Sequence, residues 1–92
     1  MKVRYRSRAR LDIETIHEYI AKRSPRAAAE VIARIRHAAD RLGVLPYMGH
    51  AGRDAGTYEW VVTRSPYIIV YEVDEEADEI VILAVFHGAR RR

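Results

Sequence analysis

The chain has 92 residues, 49% of them hydrophobic and 32% charged, which leaves room for one domain spanning residues 1–92 with one core, and excludes an intrinsically disordered protein. Cysteine is absent, so there is no disulfide framework and no thiolate metal site; with no signal-like or membrane-spanning apolar run at Met1–Arg6, the expectation is a cytoplasmic protein that does not contact membranes. The count of 16 Lys+Arg against 13 Asp+Glu gives a net charge of +3, too small to indicate nucleic-acid binding by itself, so the distribution of charge matters more than its sum.

Lys2–Ser7 alternates, with Lys2, Arg4 and Arg6 to one side and Val3 and Tyr5 to the other, as in a half-buried strand with one basic face. The period then changes. Ala9, Ile13, Ile16 and Ile20 recur at helical spacing while Asp12, Glu14, Glu18 and Lys22 point elsewhere, which predicts an amphipathic helix capped by Ser7. Ser24-Pro25 starts a second helix, because the serine hydroxyl accepts from a free amide and proline at the first helical position loses nothing by lacking its own. Ala28, Val31, Ile32, Ile35, Ala38, Ala39 and Leu42 keep the helical period, Glu30 and Arg34 are spaced to pair, and Gly43 suits the position after the last turn. The two helices form a hairpin.

Pro46 to Gly56 holds three of the five glycines, which predicts a surface loop long enough to carry function. Thr57–Thr63, Tyr67–Val73 and Ile80–Phe86 are rich in β-branched and aromatic residues and read as strands. The acidic turn Asp74–Glu79 joins the last two, which makes them antiparallel. The order β-α-α-β-β-β predicts an α+β fold, an antiparallel sheet with the helical hairpin packed on one face. Tyr67–Tyr71 is apolar at every position, so this strand is expected at the centre with both faces covered, one by the helices and one by a second layer such as a partner chain. Basic ends and an acidic turn predict an electrostatically polarised molecule.

Residues suited to chemistry gather at the end, where the last strand runs into His87-Gly88-Ala89-Arg90-Arg91-Arg92. A histidine with an ordinary pKa of about 6.5 suits proton transfer. Its structural alternative is a ring that closes the sheet end through a backbone hydrogen bond, and no carboxylate or second histidine stands near it in sequence. His17, His37 and His50 lack metal-ligand spacing, so no metal and no cofactor is expected. Lys2, Arg4 and Arg6 on one strand would hold three cations about 7 Å apart, either as an ordinary solvated face or as a row that receives phosphates or acidic partner residues. Trp60 reads as a core or interface aromatic, with Glu59 facing the opposite side and paired to Arg64 or Arg53.

The ordered set of Leu11-Asp12-Ile13 and Tyr19-Ile20, then Leu45-Pro46, Gly49 and Gly52-Arg53, then Gly56-Thr57-Tyr58-Glu59, then Pro66-Tyr67-Ile68-Ile69-Val70-Tyr71, and finally Ile82-Leu83-Ala84-Val85-Phe86-His87-Gly88-Ala89-Arg90 resembles the RelE/ParE superfamily of toxins from type II toxin–antitoxin modules. The resemblance spans nearly the whole chain. It implies a growth-arresting toxin of the plasmid-stabilisation kind, blocked by a cognate antitoxin whose disordered or helical tail wraps it. It also implies one of two activities: RelE-like members cut messenger RNA on the ribosome, whereas ParE-like members poison DNA gyrase and are not nucleases.

The nuclease needs a base for the 2′-hydroxyl, cations for charge developing on the phosphate and an acid for the leaving oxygen. RelE-like members place basic residues on the two central strands, at positions matching Glu59, Val61 and Ile68, and none of these is basic here. Tyr58 also stands where related sequences often carry arginine. The resemblance therefore implies ParE-like inhibition of gyrase by binding rather than an enzyme. The RelE-like alternative is a metal-independent endoribonuclease with His87, Arg64 and Arg90 as its catalytic group. Lys2, Arg4, Arg6, Arg53, Arg90 and Arg91 are the expected contacts to antitoxin or target. A further alternative is a non-toxic binding module or co-repressor of the same fold. Operator DNA would be reached only through the antitoxin, and exposed apolar strand positions leave a homodimer open.

Overall fold

In the computed structural model, which describes residues 1–90, the chain forms β1 (Lys2–Tyr5), α1 (Ser7–Ala21), α2 (Pro25–Val44), β2 (His50–Ala51), β3 (Tyr58–Val61), β4 (Tyr67–Asp74), β5 (Glu79–His87) and a closing 3₁₀ turn, Gly88–Arg90. The sheet order is β1-β5-β4-β3-β2. The α+β architecture with a helical hairpin on one face is the expected one, but the sheet is mixed because β1 runs parallel to β5, with Val3 opposite Ile80 and Tyr5 opposite Ile82. These two strands are joined by a long route through both helices, so no tight hairpin forces them antiparallel. The loop expected from Pro46 to Gly56 also yields a short strand, β2, paired with Tyr58 and Glu59 of β3.

Helix ends follow the sequence at one cap and depart from it at two other points. The Ser24 hydroxyl accepts from the Ala27 amide at 3.1 Å, as serine before a helix-initiating proline should. Ser7 instead lies inside α1, and Arg6 occupies the cap position with no side-chain bond; the sheet fixes this start, because the Arg6 amide donates to the Ile82 carbonyl at 3.0 Å. Gly43 does not follow α2 but belongs to it. A Cβ there would stand 2.7 Å from the Met1 carbonyl oxygen, and the Met1 ammonium donates to the Gly43 carbonyl at 2.9 Å, so glycine is what lets β1 begin against the helix. Glu30 pairs with Arg26 at 3.8 Å rather than with Arg34.

Ala9 and Ile13 of α1 and Ile35, Ala39 and Leu42 of α2 pack on Ile69, Tyr71, Ile80, Ile82 and Val85 of the sheet. Burying the isoleucine, leucine and valine side chains among these is the main stabilising term, about 1.5–3 kcal/mol each. The opposite face of the central strand lacks the expected second layer among the described residues: Ile68 and Val70 are only half-buried there. No helix among the described residues is long and apolar enough to cross a membrane.

Between β4 and β5 the register slips by one residue, Val70 lying opposite Ala84 while Tyr71 lies opposite Ile82. Leu83 is the extra residue of a β-bulge. Before it, Ile80 and Ile82 face the helices; after it, Val85 does, as the partner of Ile69. The alternation is reset, and Phe86 is turned to the open face.

Tyr71 ties this core to the loop after α2. Its ring is fully buried, its hydroxyl donates to the Pro46 carbonyl at 2.8 Å and accepts from the Gly49 amide at 3.1 Å. Burial pushes its pKa above the ordinary tyrosine value. Because the unfolded phenol ionises first, the stability linked to Tyr71 is complete below about pH 10 and is lost as pH rises through the higher folded value. Tyr71→Phe should cost about 1–3 kcal/mol at pH 7 by leaving the Gly49 amide and Pro46 carbonyl unpaired, and should flatten the alkaline loss. Urea midpoints across the alkaline range check this; equal slopes for wild type and variant would contradict it.

Candidate functional site

Because both helices lie on one face, the other face of the sheet has no second layer among the described residues and acquires a rim from loops and from the start of α1. β1 stops at Tyr5 while β5 continues to His87, so the edge of β5 needs another partner. Asp12 supplies it, one carboxylate oxygen accepting from the Val85 amide at 2.9 Å and the other holding Arg8 Nε at 3.2 Å. A sheet-edge requirement thereby fixes an arginine at the rim. From β2–β3 comes Arg53, in a turn closed by Gly52 N–H to the Thr57 carbonyl at 2.8 Å and Thr57 N–H to the Asp54 carbonyl at 3.1 Å. Arg90, in the closing turn, stacks its guanidinium over Tyr19 of α1, 5.5 Å from the ring centroid.

These three arginines surround an open cleft of about 560 Å³ whose floor is Glu59, Val70, Ala84 and Phe86. Glu59 is the buried charged side chain of the described residues, only 3% exposed. Its carboxylate accepts from the Arg53 backbone amide at 3.4 Å and lies 3.8 Å from His50 Nε2. The expected link to Arg53 is thus made by that residue's main chain, leaving the guanidinium on the cleft. The floor is largely apolar with one carboxylate and the rim is cationic, so the cleft attracts an acidic group at its edge.

The sequence candidates separate into distinct places. Arg53 and Arg90 meet in this cleft. Arg64 does not join them; it has a left-handed backbone, φ 57°, and lines a different cleft beside α2. His87 lies in neither, because the register sets it opposite Tyr67, on the helix-facing side, where the two rings meet edge to face at 5.5 Å. Its Nδ1 accepts from the Ala89 amide at 3.1 Å, which is the sheet-closing role, and leaves the hydrogen of a neutral ring on Nε2. Lys2, Arg4 and Arg6 are exposed, but Arg4 is engaged with Glu79 at 3.1 Å and the Lys2 amide donates to the Asp78 carbonyl. The N-terminal cations therefore lie beside the acidic turn rather than at the opposite pole. Arg91 lies outside the described residues. Arg8 and Phe86 belong to the cleft without having stood out in the sequence; the Arg8–Asp12 spacing of one helical turn was the available signal for the first.

Comparison with known proteins gives the class. Residues 3–92 match the family model of the ParE toxin of type II toxin–antitoxin system, parDE. The chain is 40% identical over 87 residues to Y4kP of Sinorhizobium fredii, covering 95% of this chain and 88% of that protein. It is 37% identical over 84 residues to Toxin RelE2 of Caulobacter vibrioides, covering 90% of each. A solved chain of the chromosomal ParDE TA system from P. aeruginosa superposes with a TM-score of 0.82 at 20% identity, covering 95% of each chain. The chain belongs to the ParE toxin family and is the toxin component of a type II toxin–antitoxin module.

The Glu59 carboxylate should restrain the loop that carries Arg53. In Glu59→Leu the Arg53 amide loses its acceptor, so trypsin cleavage after Arg53, followed by mass spectrometry, should accelerate about tenfold if the loss is worth about 1.4 kcal/mol of local opening. An unchanged rate would contradict that role.

Proposed function

We propose that this toxin arrests growth by binding DNA gyrase and that it does not cut messenger RNA. One observation carries the reading: the open face of β3 and β4 presents Glu59, Val61, Ile68 and Val70 where RNA cleavage needs cations, and the histidine of the sheet end is turned to the other side. Scission of a ribose–phosphate bond develops negative charge that fixed cations must meet, and losing one such donor typically costs about 10²–10³ in rate. A buried carboxylate at the same place opposes that charge. The imidazole on this face of the described strands is that of His50 at the β2 edge, 3.8 Å from the Glu59 carboxylate, with no Lys or Arg beside it on β3 or β4, whereas an arginine rim over a largely apolar floor is suited to gripping a protein surface.

A cognate antitoxin completes the reading. The P. aeruginosa relative comes from a ParDE TA system, and the half-buried apolar strand face is a surface a protein partner would cover. Operator DNA is then approached through the antitoxin.

Purified toxin should inhibit supercoiling by gyrase and leave message on translating ribosomes whole. His87→Gln should keep growth arrest within about twofold, whereas loss of a general acid or base would lower a nuclease by about 10²–10⁴. Cleaved message, with supercoiling undisturbed and the His87 variant inert, would reverse the assignment.

A further inference from the structure

At one end of the sheet β4 outlasts β3. The first residue of β3, Tyr58, stands opposite Tyr71, whereas Glu72, Val73 and Asp74 continue in register with β5, so among the described residues these three have a strand on one side only. The gap is an open groove of about 500 Å³, walled by Tyr47, Tyr58 and Val73 and edged by Glu72, Glu75 and Glu76. Its aromatic wall is fixed. Tyr47 meets Tyr58 edge to face at 5.6 Å, Tyr58 stacks on the buried Tyr71 at 5.5 Å, and the Tyr71 hydroxyl is held by Pro46 and Gly49. The carboxylates differ in how they are engaged. Glu75 accepts from the Tyr47 hydroxyl, whereas Glu72 and Glu76 take part in none of the ion pairs formed among the described residues.

The complementary charge stands at the far end of the neighbouring strand. Glu72 lies opposite Val81, about 20 Å of strand before His87, and Glu76 lies farther still, in the turn. Beyond His87 come Arg90, which is exposed, and Arg91 and Arg92, two residues that add at most about 7 Å of chain. The arginines of one chain therefore cannot lie along that chain's own groove, and a contact between the two joins separate molecules. We propose that the groove receives the arginine segment Arg90-Arg91-Arg92 of a second copy, so that the toxin without its antitoxin associates head to tail. In that contact guanidinium planes lie against Tyr47 and Tyr58 and pair with Glu72 and Glu76, while the segment's main chain meets the free edge of β4. The tyrosine faces and carboxylates suit arginine in particular, and the same carboxylates repel nucleic acid. The two surfaces differ, so the contact is heterologous: each copy in a pair keeps a groove or an arginine segment free, and association proceeds to open chains instead of stopping at a closed dimer. The proposal stands apart from the assignment of the target.

Sedimentation equilibrium of the purified toxin reads the association. At low salt the average mass should rise from the monomer's 10.6 kDa to more than twice that value as the protein is taken from micromolar to millimolar concentration, and it should return to the monomer value in about 1 M salt, where screening acts within about 3 Å. Glu72→Arg/Glu76→Arg and Arg91→Glu/Arg92→Glu should each stay at the monomer mass throughout. Combining all four substitutions leaves the net charge at +3 and should restore association, as should an equal mixture of the two double variants; neither recovery is open to a merely unfolded protein. Wild type that remains a monomer at millimolar concentration would leave the groove to a cationic segment of another protein and overturn the proposal. Association by either double variant alone at the wild-type level, or no recovery in the fourfold variant and the mixture, would overturn it equally.

Discussion

One additional residue in β5, Leu83, decides what the open face of the sheet can do. Strict alternation counted from Ile80 and Ile82 would put Ala84 and Phe86 into the core and aim His87 at the open side. The bulge at Leu83 resets the count, so Val85 packs under the helices opposite Ile69, Phe86 joins the cleft floor, and His87 closes against Tyr67. Such bulges commonly re-aim side chains next to functional sites. Here the effect is to withdraw the one titratable ring of the strand from the surface that its arginine neighbours surround.

The rim follows from the same strand. β5 outlasts β1, its Val85 amide is satisfied by Asp12, and that carboxylate also holds Arg8. Cations therefore stand on α1, on the Arg53 loop and on the closing turn, around the floor rather than upon it. A charge at the rim attracts and orients an incoming acidic surface. Binding without bond cleavage is the behaviour this distribution supports.

Much of this was legible in the residues. Helical periods at Ala9–Ile20 and Ala28–Leu42, the Ser24-Pro25 cap and the three β-rich segments gave the helices and strands, because each depends on local spacing and on which face is buried. Direction and partnership were less accessible. The parallel pairing of β1 with β5 depends on two segments brought together by the whole fold, and Gly43 read as a helix end because its close approach to Met1 is non-local. The competition of Arg26 and Arg34 for Glu30 was decided by side-chain geometry, which spacing alone does not fix. The bulge was the least legible element, since Ile80–Phe86 is apolar throughout and offers no break in pattern. With it went the face of His87, and so the grouping of His87, Arg64 and Arg90, which the fold distributes over three surroundings.

The central claim is that the bulge turns His87 toward Tyr67 and away from the arginine-rimmed cleft. Nuclear Overhauser contacts from the His87 ring in the folded toxin test it most directly. The account requires strong contacts to the Tyr67 ring, with the neutral imidazole carrying its hydrogen on Nε2. Contacts to Val70 or Phe86 side chains across the open face, in their place, would contradict it.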